Sequence, residues 1–136
     1  MNRKLWLGAL AVFIVLEILM FLVDGVILSG AYRAIAHEFR PDMSSKMWMF
    51  HVMNVVTAFF FTFIFSKGYE KKGIMEGVRY GFYIGVWMSV GMALGTDAMI
   101  TLGRSLTTHL LVYGVIEYMI AGVVVAMVFK DNSKQA

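Results

Sequence analysis

The sequence predicts an all-α protein, an integral-membrane four-helix bundle with both termini in the cytoplasm. Composition, four apolar runs and the placement of the basic residues predict it. Of 136 residues, 60% are hydrophobic and only 15% are charged. Mean hydropathy is +0.73. An ordinary soluble domain is about 45–50% apolar and about 25% charged. The chain holds one proline and no cysteine. The first argues against a disordered chain; the second excludes disulfides, Cys-ligated zinc, iron–sulfur clusters and thiol catalysis.

A membrane-spanning helix needs about 20 mostly apolar residues. Four stretches qualify: residues 5–28, 47–66, 77–100 and 109–129. They leave only short connections and tails, so the chain reads as a single transmembrane domain. The first stretch opens on Asn2-Arg3-Lys4, and Ser29-Gly30-Ala31 resembles a small-residue cleavage site. Its apolar run nevertheless exceeds the roughly 7–15 residues of a signal core. It also contains Glu17 and Asp24, so we expect a retained first helix.

The connections carry helix punctuation. Lys67-Gly68 closes the second stretch. Asp42 and Ser44-Ser45 offer N-caps before it, and Thr107-Thr108 before the fourth. Tyr32, Ile35 and Phe39 recur at helical spacing before Pro41, which fits either a short interfacial helix or an irregular loop.

Basic residues set orientation. Arg3, Lys4, Lys67, Lys71, Lys72, Arg79, Lys130 and Lys134 fall on the side of the termini; Arg33, Arg40, Lys46 and Arg104 fall on the other. The excess places both termini in the cytoplasm. Trp6 and Trp48 suit the aromatic belts at span ends. The net charge of +3 reflects the same excess and gives no face for nucleic acid.

Helix packing is most legible in the third stretch. Gly73, Gly77, Gly81 and Gly85 recur at steps of four, followed by Ser89 and Ala93. Such a ladder lets two backbones approach closely. Steps of four drift by about 40° around a helix, so the contact favours a right-handed crossing over part of its length. Gly114, Gly122 and Ala126 can face it within the bundle, or the ladder can form a homodimer seam.

Ionisable residues inside a span cost about 2.5–3.5 kcal/mol at the bilayer centre and need a partner. Glu17 and Glu117 lie near mid-span in antiparallel stretches and are expected at one depth, where two carboxylates can share a proton. Asp24 lies about two turns further out on nearly the same face as Glu17. His51, Asn54 and Thr57 form a stripe, Asp97 ends the third stretch, and His109, Tyr113 and Glu117 follow at steps of four. The expected site is an outward-facing polar column of Glu17, Asp24, His51, Asn54, Asp97, His109, Tyr113 and Glu117. Phe59, Phe60, Phe61, Phe63 and Phe65 would close it below.

This set suits a cation, a proton or a small ligand, with His51 as a relay. Imidazole and carboxylate also suit transition metals, and His51 and His109 are the candidate ligands for a metal or haem b. Met43, Met47 and His51, with Met92 and Met99, suit copper(I). Each reading competes with hydrogen-bonded packing of the same groups. With no nucleophile motif or phosphate-binding loop, an enzyme is not expected. A non-enzymatic binding protein and an accessory subunit of a larger membrane complex both stay open.

Further residues carry a resemblance over about residues 47–130. They are Phe61-Thr62-Phe63-Ile64-Phe65-Ser66-Lys67-Gly68-Tyr69-Glu70, then Gly73-Ile74-Met75-Glu76-Gly77-Val78-Arg79-Tyr80-Gly81, and later Ile116-Glu117-Tyr118 and Ala121-Gly122. In these the chain resembles small four-span bacterial membrane proteins of unassigned function. The resemblance implies four spans and the bacterial inner membrane, and it assigns no residue a role. It makes the connection before the third span part of the pattern, where Glu76 and Arg79 are expected to pair.

Overall fold

Every element among the residues described by the computed structural model, 2–130, is helical. The elements are α1 (Asn2–Leu22), α2 (Ser29–Ala34), α3 (Trp48–Gly68), α4 (Ile74–Met99) and α5 (Arg104–Phe129). Lys134 of the expected cytoplasmic set lies outside the described residues.

Three segments are long and apolar enough to cross a membrane: Arg3–Ile27, Met43–Gly68 and Arg104–Phe129. α4 has 26 residues, about 39 Å at 1.5 Å per residue, so length does not set it apart. Its five glycines, with Glu76, Arg79 and Asp97, dilute its apolar character.

Local chemistry explains the element ends. α1 widens at Val23–Ile27, where the Leu28 N–H bonds the Val23 carbonyl five residues back at 2.7 Å. α2 continues from that turn, and a tight turn over Ala36–Glu38 follows. The expected caps of α3 do not form. Ser45 donates instead to the Asp42 carbonyl, and Asp42 pairs with Arg40 at 2.5 Å. α5 starts at Arg104, five residues before the expected start. Gly103, at φ 86°, makes the sharp entry. Thr107 and Thr108 therefore lie inside the helix and bond the Gly103 and Arg104 carbonyls.

The helices pack as two pairs. α1 lies against α3, α4 lies against α5, and α1 joins the pairs by packing on α5. Leu5, Gly8, Val12 and Leu16 form the buried stripe of α1, continued by Val23 in the wide turn. The main core gathers Val12, Leu16, Ala58, Phe61, Phe65, Ala121, Val125, Ala126 and Phe129. A smaller cluster at the other end holds Val23, Leu28, Leu102 and Leu106, with Tyr32 and Ile35 packed on it. Side chains rather than backbones connect α3 to α4: the Tyr80 hydroxyl donates to the Phe61 carbonyl at 2.6 Å. The Tyr80 ring also packs on those of Phe61 and Phe65.

In lipid, close packing rather than hydrophobic burial drives helix association. The α4–α5 contact is the closest in the bundle. Gly77 lies against the Gly122 backbone and Ala126, Gly81 against the Tyr118 and Met119 backbone, and Gly85 against Val115. Gly114 opposes Ser89. Gly73 is not part of this ladder. It precedes α4 at φ 84° with nothing near its α-carbon, so its role is the backbone turn.

Two substitutions test this packing. A Cβ at position 81 would stand 2.7 Å from the Met119 α-carbon. Overpacking typically costs about 1–3 kcal/mol, and backbone cannot yield as a side chain can. Gly81→Leu should therefore lower the unfolding midpoint in mild detergent by at least that equivalent. Thr62 is fully buried, and its hydroxyl has no partner. Thr62→Val keeps the shape and removes an unsatisfied group. It should leave the midpoint unchanged or raise it, and a large fall would contradict the packing.

Candidate functional site

The polar residues of the spans gather in two clusters rather than one column. The first bridges α1 and α3. Asn54 Nδ2 donates to Glu17 Oε1 at 2.8 Å, and His51 Nδ1 meets Glu17 Oε2 at 2.9 Å. Both carboxylate oxygens are thus engaged. An ionised Glu17 accepts both bonds, so His51 carries a proton on Nδ1. Asn54 also approaches the Met20 sulfur at 3.7 Å. Asn54 is buried, whereas the His51 side chain is 55% exposed. The cluster is accessible from its His51 edge.

The second cluster bridges α1, α2 and α5. The Tyr32 hydroxyl donates to Asp24 Oδ1 at 3.2 Å. Glu117 lies within electrostatic reach of both Asp24 and Tyr32. Burial, then the charge and hydrogen bond of Asp24, then the charge of Glu117, push the Tyr32 phenol above its ordinary range. Tyr32 therefore remains a donor at neutral pH. The wide turn at Val23–Ile27 carries Asp24; such turns are frequent at functional sites. In sequence the cluster lies between the two apolar groups. Glu117 falls between Tyr113, packed on the smaller group, and Ala121 of the main core.

Several expectations are corrected. Glu17 and Glu117 do not face one another: Glu17 engages α3, and the carboxylate coupled to Glu117 is Asp24. Asp97 joins neither cluster; its Oδ1 accepts the Leu102 N–H at 3.3 Å and braces the α4–α5 turn. His109 is exposed, bonds the Ser105 carbonyl at 2.5 Å and stacks on Tyr113. His51 and His109 therefore engage separate partners. Among the described residues no three or more histidines, aspartates or glutamates are grouped to hold a metal ion. Of the five phenylalanines expected to seal a column, only Phe61 and Phe65 are buried. Phe59 and Phe63 stack along the α1–α3 flank with Trp6.

Sequence reasoning placed Tyr32 in a connection and missed its role. Its signal is a phenol eight residues beyond a span carboxylate, within reach once the chain turns back. The pairing of Glu76 is also different. Its two oxygens accept the Glu70 and Lys72 backbone N–H groups at 2.6 and 2.9 Å, so they bind the loop before α4 rather than Arg79.

No family model, curated protein or solved structure matches the chain.

Two outcomes test these contacts. Asn54→Leu should cost about 1 kcal/mol of unfolding free energy in bicelles, within the range for polar contacts between membrane helices. His51→Leu, at the exposed edge, should cost less; the reverse order would contradict the geometry. The second outcome concerns pH. A phenol harder to ionise when folded stabilises the fold fully below the unfolded pKa, about 10, and loses that contribution as pH rises above it. The stability gap between wild type and Tyr32→Phe should therefore hold from pH 7 to 9 and shrink above 10. A gap that widens with alkalinity would contradict the Asp24 bond.

Proposed function

We propose that the chain is a small four-span protein of the bacterial inner membrane that handles protons or small cations at its intramembrane carboxylates. In this reading α4 spans alongside the three apolar segments, and both termini are cytoplasmic. The excess of basic residues at one end of the bundle supports that orientation.

The approach of Asp24, in the wide turn after α1, to Glu117 of α5, with Tyr32 bonded to Asp24, carries the functional reading. Two carboxylates that interact strongly can share a proton. They can hold one proton between them, or a small cation in its place. Intramembrane ionisable residues commonly mark such pathways. Glu17 and His51 form the exposed station, at the edge of the α1–α3 pair. The two stations lie about two helical turns apart along α1. Within the main core, Phe61, Phe65, Val125 and Phe129 form an apolar barrier toward the termini.

The full chain in liposomes containing a pH-sensitive dye provides the test. An imposed potential should drive proton or cation entry faster than in empty liposomes. Glu117→Gln should abolish most of that excess, and Glu17→Gln should reduce it. Equal rates in empty and loaded liposomes, or rates unaffected by both substitutions, would overturn the proposal.

A second reading, an accessory subunit, is favoured by one observation: Gly91 and Gly95 on α4 have open space at their α-carbons. A partner helix could approach there. Gly91→Leu would then disrupt a native complex without changing flux.

A further inference from the structure

The antiparallel packing collects basic residues at one end of the bundle. Lys4 Nζ lies 3.4 Å from the Phe129 carbonyl, so the start of α1 adjoins the end of α5. The rings of Phe65, Tyr69 and Phe129 pack together, which brings the end of α3 to the same place. Gly77 against Gly122 adds the start of α4. This end therefore carries Arg3, Lys4, Lys67, Lys71, Lys72, Arg79 and Lys130, all exposed. Its acids among the described residues are Glu70 and Glu76. Glu70 pairs with Lys72, and that pairing holds its carboxyl below the ordinary range. Glu76 is occupied by two backbone N–H groups. At the opposite end Arg33, Arg40, Lys46 and Arg104 are accompanied by Glu38, Asp42 and Asp97.

The loop between α3 and α4 is held rather than loose. Glu76 binds its backbone from both sides of Lys71, and Lys71 and Gly73 take left-handed conformations at φ 62° and 84°. Lys67 lies over the Phe63 ring at 5.1 Å, where its charge is kept beside the apolar flank of α3.

We infer that this basic end, centred on Lys67, Lys71 and Lys72, is a docking surface for the headgroups of anionic phospholipids. Charge complementarity supports the inference. Its cations border apolar helix ends; in the four-span arrangement proposed above, on which this inference rests, they stand at the level of the headgroup phosphates. Clusters of four to eight basic residues next to membrane helices recognise anionic lipid in this way. A nucleic acid would need a basic face extending away from the membrane, and this collar is confined to the helix ends and one short loop. The inference is independent of the proton or cation reading.

The full chain in mild detergent, offered equal phosphatidylglycerol and phosphatidylcholine and examined by native mass spectrometry, tests it. Retention should favour phosphatidylglycerol by about tenfold or more, given the additive contribution of each basic side chain near the headgroups. The K67Q/K71Q/K72Q variant should lose that preference. R33Q/R40Q/R104Q, which removes as many charges from the other end, should keep it. No preference in the wild type, or equal loss in both variants, would overturn the inference. So would displacement by inorganic phosphate beyond that by chloride at matched ionic strength, because the surface would then be a phosphate-ion site. Should the first variant fail to fold, salt titration of the wild type decides. The preference should fall steeply with sodium chloride, and a salt-independent preference would overturn the inference.

Discussion

The contact of α4 with α5 at Gly77, Gly81, Gly85, Gly114 and Gly122 is the constraint on which the remaining structure depends. The two backbones approach closely at these positions, so the contact rests on backbone packing that only glycine permits. Side chains at these five positions would force the backbones apart. The separation would remove Tyr80 from the Phe61 carbonyl and from the rings of Phe61 and Phe65. Those contacts are the main link between α4 and α3. The glycine ladder thus acts at two distances: it seats α4 on α5, and through Tyr80 it locks the two helix pairs at the end that carries the main core.

α5 serves both interfaces. One face meets the α4 glycines through Gly122 and Ala126; α1 packs on α5 at Val125 and Phe129, and Glu117 lies within electrostatic reach of Asp24. Tyr32 bonds Asp24, while Asp24 and Glu117 face each other as like charges within electrostatic reach, an arrangement that favours one proton or a cation between them. The carboxylate of α1 itself, Glu17, engages His51 and Asn54 of α3 instead. Two clusters result, one accessible past His51 and one bordered by apolar groups along the chain. That asymmetry underlies the reading of an exposed and a sheltered station.

Much of the fold was legible in the sequence. Apolar runs gave the long helices, and steps of four gave the α4 face and its opposing glycines. The ladder failed only at Gly73, where a regular spacing continued past the helix into a turn that needs glycine for its positive φ. Caps were less legible. Asp42 found Arg40 and Ser45 found a carbonyl, contacts that a residue-type rule does not distinguish from capping. The site was read in part. Glu17, His51 and Asn54 do gather, and Asp24 and Glu117 do approach, but their sorting into two clusters was not foreseen. Depth can be counted along a helix, whereas the neighbour that a face meets depends on the order of packing. The wide turn at Val23–Ile27, which carries Asp24 and leads the chain back to Tyr32, leaves no pattern in residue type. Asp97 and His109 show the converse: chemistry-bearing residues at helix ends were taken up by the backbone beside them.

The absence of cysteine makes one direct test available. A Cβ at Gly114 would lie 3.0 Å from that of Ser89, close to the roughly 3.5–4.5 Å spanned in a disulfide. Cysteines introduced at positions 89 and 114 should cross-link within one chain in native membranes under mild oxidation. The pair at positions 91 and 114 should not, because Gly91 opens away from the bundle. Efficient cross-linking of the first pair alone is the predicted result. Failure of that pair, or equal cross-linking of both, would contradict the docking of α4 on α5 and with it the arrangement of the two carboxylate clusters.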